Sequence, residues 1–177
     1  MKAIVSEKYG SPDVMELREV ANPVPGDDEV LVRIHAVSIN DWDWGLLQGS
    51  TLVDRLLFGF LRPRNTILGS DIAGRIEAVG KNVTQFRPGD EVFGDLSGRW
   101  GGFAEYACAP HSALVLKPPG MTFAEAASIP QAAALAMQGL CDTGRIQRGD
   151  KVLINWAGGG VGTFAVQIAK LYGAEVI

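Results

Sequence analysis

Residues 151–177 read KVLINWAGGGVGTFAVQIAKLYGAEVI, and this stretch decides the fold. An apolar run at 152–156 leads into a glycine cluster, then an amphipathic segment, then the start of a second apolar run. Val161, Ala165, Ile168, Ala169 and Tyr172 recur at helical spacing and mark one apolar face. Strand, glycine turn, helix and strand is the order of a phosphate-cradling unit. The turn must bend sharply and admit a pyrophosphate without a Cβ in the way, and the helix behind it offers free N–H groups and the positive end of its dipole. On the G-x-G-x-x-G spacing the three positions are Ala157, Gly159 and Gly162, so Ala157 departs from the first glycine. The candidate cofactor-binding residues are Ala157, Gly158, Gly159, Gly160, Val161 and Gly162. Taken alone, the glycines also fit a plain tight turn; the strand before them and the helix after them favour phosphate binding.

Upstream the pattern is different. Runs at 3–5, 15–20, 29–39, 72–79, 91–93, 103–107 and 113–116 are rich in strand formers and separated by turn residues such as Gly10-Ser11-Pro12 and Arg87-Pro88-Gly89-Asp90. Within 29–39, Val30, Val32, Ile34 and Ala36 share one side and Leu31, Arg33 and His35 the other, which predicts a strand with one buried face. Many short strands with glycine and proline turns predict a compact β-barrel or sandwich. Residues 42–64 are apolar and aromatic without clean alternation and read as a short helix and a loop. Thr122 and Glu125 fit a capping box opening a helix over 123–128, and Pro130 opens an alanine-rich helix to about Thr143, closed by Gly144. The chain is therefore read as mixed α/β, with a β-rich domain over 1–118 and, over 119–177, connecting helices and the beginning of a nucleotide-binding domain.

Composition fits a folded globular chain: 177 residues, 47% hydrophobic, 20% charged, net charge −4. Basic residues are scattered singly, which argues against a nucleic-acid partner. No stretch has the roughly 18 uninterrupted apolar residues of a membrane span, and no membrane partner and a cytoplasmic location are expected. Cys108 and Cys141 lie far apart without a C-x-x-C pair, so neither a disulfide framework nor a zinc knuckle is expected.

The strings AGGGVGTFAVQIAK, GSDIAGRIEAVG and FRPGDEVFG together resemble the medium-chain dehydrogenase/reductase superfamily, most closely its zinc-independent quinone oxidoreductase branch. The resemblance runs along the whole chain. It implies a GroES-like β-barrel catalytic domain, followed by the first strand, helix and strand of a Rossmann domain that binds NADPH. It implies hydride transfer from NADPH to a small-molecule quinone or enone. Zinc-dependent members of the superfamily carry a cysteine in the first catalytic loop and a Gly-His-Glu motif before the central strand. Here Asn40 and Gly69-Ser70-Asp71 stand in those places, and the short DLSGRWGGFAEYACAP replaces a four-cysteine loop, so no metal is expected.

In SINDWDW, which resembles the family's first substrate-side loop, Asn40, Trp42 and Asp43 are the candidate catalytic residues. Asn40 could hold the nicotinamide ribose or a substrate oxygen, or could end the strand in an Asx turn. Asp43 could cap the helix that begins near Trp44, and Asp71 could tie loop to strand. Trp42, Trp44, Trp100 and Tyr106 could line a flat pocket for a quinone or belong to the core. His35 and His111 have no nucleophile partner and read as structural.

Two positions depart from the family pattern: Leu135 stands where a threonine contacts the nicotinamide carboxamide, and Trp156 stands where glycine is usual. A doubly wound domain needs more strands than 151–177 supplies, and a parallel strand is buried on both faces. Val152, Leu153, Ile154, Val176 and Ile177 are therefore expected to pack back on the barrel, to be covered by a second copy in a homodimer, or to belong to a longer protein. Two functions follow: the N-terminal part of an NADPH-dependent quinone or enone reductase, or a catalytically silent GroES-like and oligomerising module.

Overall fold

Alternating apolar residues in the first 120 positions resolve into two antiparallel sheets. The computed structural model describes residues 1–177, the side chain of Asp54 excepted. Strands β1 (Lys2–Val5) and β2 (Glu16–Glu19) pair with each other. Strands β3 (Glu29–Val37), β4 (Asp71–Val79), β5 (Glu91–Asp95), β6 (Tyr106–Pro110) and β7 (Leu114–Leu116) form a second sheet in the order β6-β3-β4-β5-β7. A single bridge between Ala3 and Ala104 ties β1 to the segment ahead of β6. That bridge explains why the run at 103–107 starts its regular pairing only at Tyr106: the Phe103 N–H is already given to the Leu68 carbonyl, 2.9 Å away.

The predicted buried face of β3 is present. Val30 and Val32 are fully buried and pack with Ile72, Ile76, Val92, Leu96, Ala107, Ala109 and Leu114 in one core. Register shifts at Leu31/Val32 and Ile34/Ala36 bend the β3–β4 pair, and such bulges increase local twist.

Residues 42–64 hold two helices rather than one: α1 (Asp41–Gln48) and α2 (Leu52–Phe58). Gly49 separates them in a left-handed conformation, φ 52, a backbone that glycine reaches without strain. Leu46 and Leu47 of α1 join Leu68 and Trp100 in a second core cluster.

The packing divides the chain into two units, Met1–Ser128 and Ile129–Ile177. Helix α3 (Phe123–Ala127) belongs to the first; its Ala126 and Ala127 pack against Ala73 of β4. The capping box at its start is formed, Thr122 Oγ1 accepting from the Glu125 N–H at 3.2 Å and Glu125 Oε2 accepting from the Thr122 N–H at 2.8 Å.

In the second unit, α4 (Pro130–Met137) runs into a π-helical stretch, Gln138–Thr143, where the Gly144 N–H reaches the Gly139 carbonyl at 2.9 Å. Strands β8 (Lys151–Val152) and β9 (Glu175–Val176) are parallel, and α5 (Gly160–Leu171) connects them. The predicted strand over 151–156 is thus regular for two residues only. Its one neighbour is itself short, and the Ile154 N–H still reaches the Ile177 carbonyl at 3.2 Å. Ala165 and Ala169 of α5 are buried on the predicted face.

Candidate functional site

The glycine turn lies where its sequence places it, between β8 and the first turn of α5. Gly159 occupies the N-cap position with extended backbone, and its N–H closes the turn onto the Trp156 carbonyl at 3.0 Å. The glycines play unequal parts. A Cβ on Gly162 would stand 2.4 Å from the Trp156 carbonyl oxygen and 2.6 Å from Ala157 Cα, so only glycine lets helix and turn approach this closely. A Cβ on Gly158 would meet nothing within 4 Å, and one on Gly159 or Gly160 would make only ordinary contacts. The free space at the turn therefore lies beside Gly158, and a ligand phosphate needs such space. The first amides of α5 have no acceptor earlier in the helix. Together with the dipole of a 12-residue helix, they suit a pyrophosphate. The residues present therefore fit a dinucleotide.

Trp156 has a left-handed backbone, φ 60, and its ring is 85% exposed. It covers no sheet. Left-handed backbone is uncommon for a bulky residue and marks a locally enforced turn. Leu135, on α4, is half exposed.

In the first unit, Asn40, Trp42 and Asp43 come together at the start of α1. Asn40 is the N-cap, and Asp43 is not the cap expected near Trp44 but the third helical residue, accepting the Asn40 N–H on Oδ2 at 3.0 Å. Its other oxygen, Oδ1, accepts the Gly69 N–H, also at 3.0 Å. Asp43 is buried. Burial pushes its carboxyl pKa up, the two backbone donors pull it back, and Asp95 adds to the rise. Asp43 thus locks α1 to the strand entry at Gly69-Ser70-Asp71. Gly69 is required there: its φ is 91, and a Cβ would sit 2.7 Å from the Phe103 ring. The sequence shows these three residues as a substituted metal motif, with Asp71 able to tie loop to strand, and does not reveal Gly69 as the partner of Asp43. The signal was a glycine directly ahead of two small polar residues.

The Asn40 side-chain N–H₂ lies 3.5 Å from Ser38 Oγ, its oxygen faces the Asp43 N–H in the capping box of α1, and Trp42 is half exposed with its ring edge-on to Phe58, centroids 5.9 Å apart. Of the four aromatic candidates, Trp100 and Tyr106 line one cavity together. Trp100 is buried against Leu46, Leu47 and Leu68, and its left-handed backbone, φ 54, turns it inward. With Tyr106 it lines a cavity of about 240 Å³ that also contains Arg99, Glu29 and Cys108. Burial, with the Glu29 charge adding, pushes the Cys108 thiol up to about 11, so it is not a nucleophile at neutral pH. His35 stacks on Phe123 at 4.4 Å, as a structural histidine does. Among the described residues, no three His, Cys, Asp or Glu side chains gather at a spacing that could hold a metal ion. Among the same residues, no helix is long and apolar enough to cross a membrane.

Comparison with known proteins adds the family context. Residues 26–119 match the alcohol dehydrogenase GroES-like domain. Quinone oxidoreductase of Sus scrofa is 38% identical over 178 residues, which cover 100% of this chain and 52% of that protein. An NADPH-dependent alkenal/one oxidoreductase of Arabidopsis thaliana chloroplasts is 33% identical over 186 residues, 100% of this chain and 46% of that one. The solved quinone oxidoreductase from Coxiella burnetii superposes with a TM-score of 0.90 at 34% identity, covering 99% of this chain and 55% of that one. The chain spans about half the length of the curated relatives it matches.

Proposed function

Because the chain belongs to the medium-chain dehydrogenase/reductase superfamily and carries its alcohol dehydrogenase GroES-like domain, we propose that it is the N-terminal part of a quinone or enone reductase using NADPH without zinc. The observation that carries this reading is the turn at Gly158 to Gly162, open beside Gly158 and backed by the amide end of α5. NADPH is favoured over NADH by the cofactor named for the Arabidopsis relative.

Bound NADPH would supply a hydride, and a quinone or enone accepts it at a carbon conjugated to a carbonyl, with a proton completing the reduction. The chain's own residues bind and orient. The α5 amides would hold the pyrophosphate. Asn40, whose side-chain N–H₂ has Ser38 Oγ at 3.5 Å, is available through that N–H₂ to a ribose hydroxyl or to the substrate oxygen. The exposed face of Trp42 is available to stack on a planar ring. Asp43 positions both by fixing the start of α1; its two oxygens are occupied by N–H donors, so it is not the proton source. With Asn40 and Ser70 in place of thiolate and imidazole ligands, carbonyl activation without a metal suits conjugated acceptors better than plain alcohols.

The test is NADPH consumption by the purified protein with a para-quinone or an enone, set against NADP⁺ reduction with a primary alcohol. Quinone or enone turnover that falls at least tenfold in Asn40→Ala and Trp42→Ala supports the reading. Zinc-dependent turnover of the alcohol alone would refute it. The exposed Leu153, Trp156 and Ile177 of the second unit favour a second reading, in which these 177 residues by themselves are a silent GroES-like and oligomerising module. Cofactor binding by this chain separates the two.

A further inference from the structure

Helix α2 turns an unusual side to the protein. At 100° per residue, Leu52, Val53, Leu56 and Leu57 fall within an arc of about 140°, and Phe58 lies roughly opposite. Phe58 is the one that packs inward, edge-on to Trp42 and, at 5.4 Å, to Trp100. The apolar arc therefore faces away from the core, the reverse of an ordinary surface helix. With Phe60 and Leu61 just beyond the helix, these six side chains are each 58% to 83% exposed. A contiguous apolar surface of this kind marks an interaction site.

The charges beside it indicate the partner. Residues 51–65 hold three arginines and one aspartate in a chain whose net charge is −4. Arg55 is engaged, its Nε donating to the Gly49 carbonyl at 2.8 Å and its guanidinium lying over the Tyr9 ring. Arg62 and Arg64 are exposed and enter no ion pair among the described residues. Exposed cations at the edge of an exposed apolar face are complementary to an anionic lipid surface. A second copy docked through the same face would bring four arginines into one isologous interface with few acids to match them.

We propose that residues 52–64 dock the protein on an anionic bilayer. The six apolar side chains enter the acyl boundary, and Arg62 and Arg64 meet headgroup phosphates. This departs from the expectation of no membrane partner, which rested on the lack of a spanning segment and does not bear on a surface contact.

The experiment is co-sedimentation of the purified chain with vesicles of phosphatidylcholine alone and with phosphatidylglycerol added at roughly one part in four. Binding is expected to the mixed vesicles, weakening with salt. The double variant Arg62→Gln/Arg64→Gln should partition about thirtyfold less. Leu56→Ser/Leu57→Ser should abolish binding without lowering the melting temperature, since both side chains are already exposed. Lack of sedimentation with either vesicle would overturn the proposal, as would equal binding to both. So would a lipid-free dimer that the leucine variant dissociates, which would assign the face to a second copy.

Discussion

The two units follow the same local rules and differ in how much apolar surface they bury. In Met1–Ser128 the strands β3, β4 and β5 each have neighbours on both sides, and Val30, Val32, Ile72 and Val92 are fully withdrawn from water. In Ile129–Ile177 the parallel pair β8–β9 has two ordered residues per strand, and Leu153, Trp156, Leu171 and Ile177 are exposed. Its buried residues are mostly alanines at the α4–α5 contact, Ala132, Ala136, Ala165 and Ala169, with Ile146. An antiparallel sheet can close a core with one face to water, whereas a parallel one needs cover on both. Strand propensity is present in both units; the layers that convert it into burial are present in one.

The contrast is broken most sharply by truncating an apolar side chain on each side of it. Ile72→Ala should lower the stability of the first unit by about 2–5 kcal/mol, because the side chain is fully buried and leaves a cavity. Leu153→Ala should change stability by less than about 0.5 kcal/mol. Urea titration of each variant reads both values, and a comparable loss at Leu153 would mean that the second unit is covered in solution.

Within the second unit, Gly162→Ala forces a Cβ onto the Trp156 carbonyl oxygen and should cost about 1–3 kcal/mol of local stability. Faster hydrogen exchange confined to the α5 amides would show it. Unchanged exchange would mean that the turn is looser than the 2.4 Å approach implies.

Asp43→Asn tests how far the first unit depends on the buried carboxylate that joins α1 to Gly69. One of its two carboxylate acceptor oxygens becomes an amide N–H₂ facing a backbone N–H donor, a loss of about 1–3 kcal/mol. The pH dependence has a defined sign. The folded-state pKa of Asp43 is raised, so its contribution is more favourable at low pH and declines as pH rises from the ordinary carboxylate value through the folded one. The deficit of the asparagine variant should therefore be smaller at neutral pH than the hydrogen bonds alone would give.

Glu91 has the opposite sign and the smallest effect. Lys117, and after it Arg75, hold its carboxyl below the usual range. Its stabilisation is present above the unfolded pKa and fades as pH falls through the folded one. Melting curves of wild type and Glu91→Gln should converge in acid; a gap that widens there would contradict the pairing.

Much of the first unit was legible because alternation reports burial directly. Strands β3, β4, β5 and β7 fall within a few residues of their expected positions, and the capping box of Thr122 and Glu125 is formed as read. Helix α2 was not legible, since its apolar residues mark the outward face and periodicity assumes the reverse. At the glycine turn the sequence named the region. The different parts of Gly158 and Gly162 depend on which backbone atoms approach each Cα, and spacing does not encode that. The left-handed backbone of Trp100 and Trp156 was invisible for the same reason, and so was the pairing of Asp43 with Gly69 across 26 residues.

The central claim is that the free space beside Gly158 in the glycine turn receives a nicotinamide dinucleotide, and NADPH fluorescence titration of wild type and Gly158→Val tests it directly. Gly158 has free space around it, so the valine variant should fold with an unchanged melting temperature. Saturable NADPH binding by wild type, lost or weakened at least tenfold in Gly158→Val, is the predicted result. No saturable change with wild type up to about millimolar cofactor, or equal binding by the folded valine variant, would contradict it.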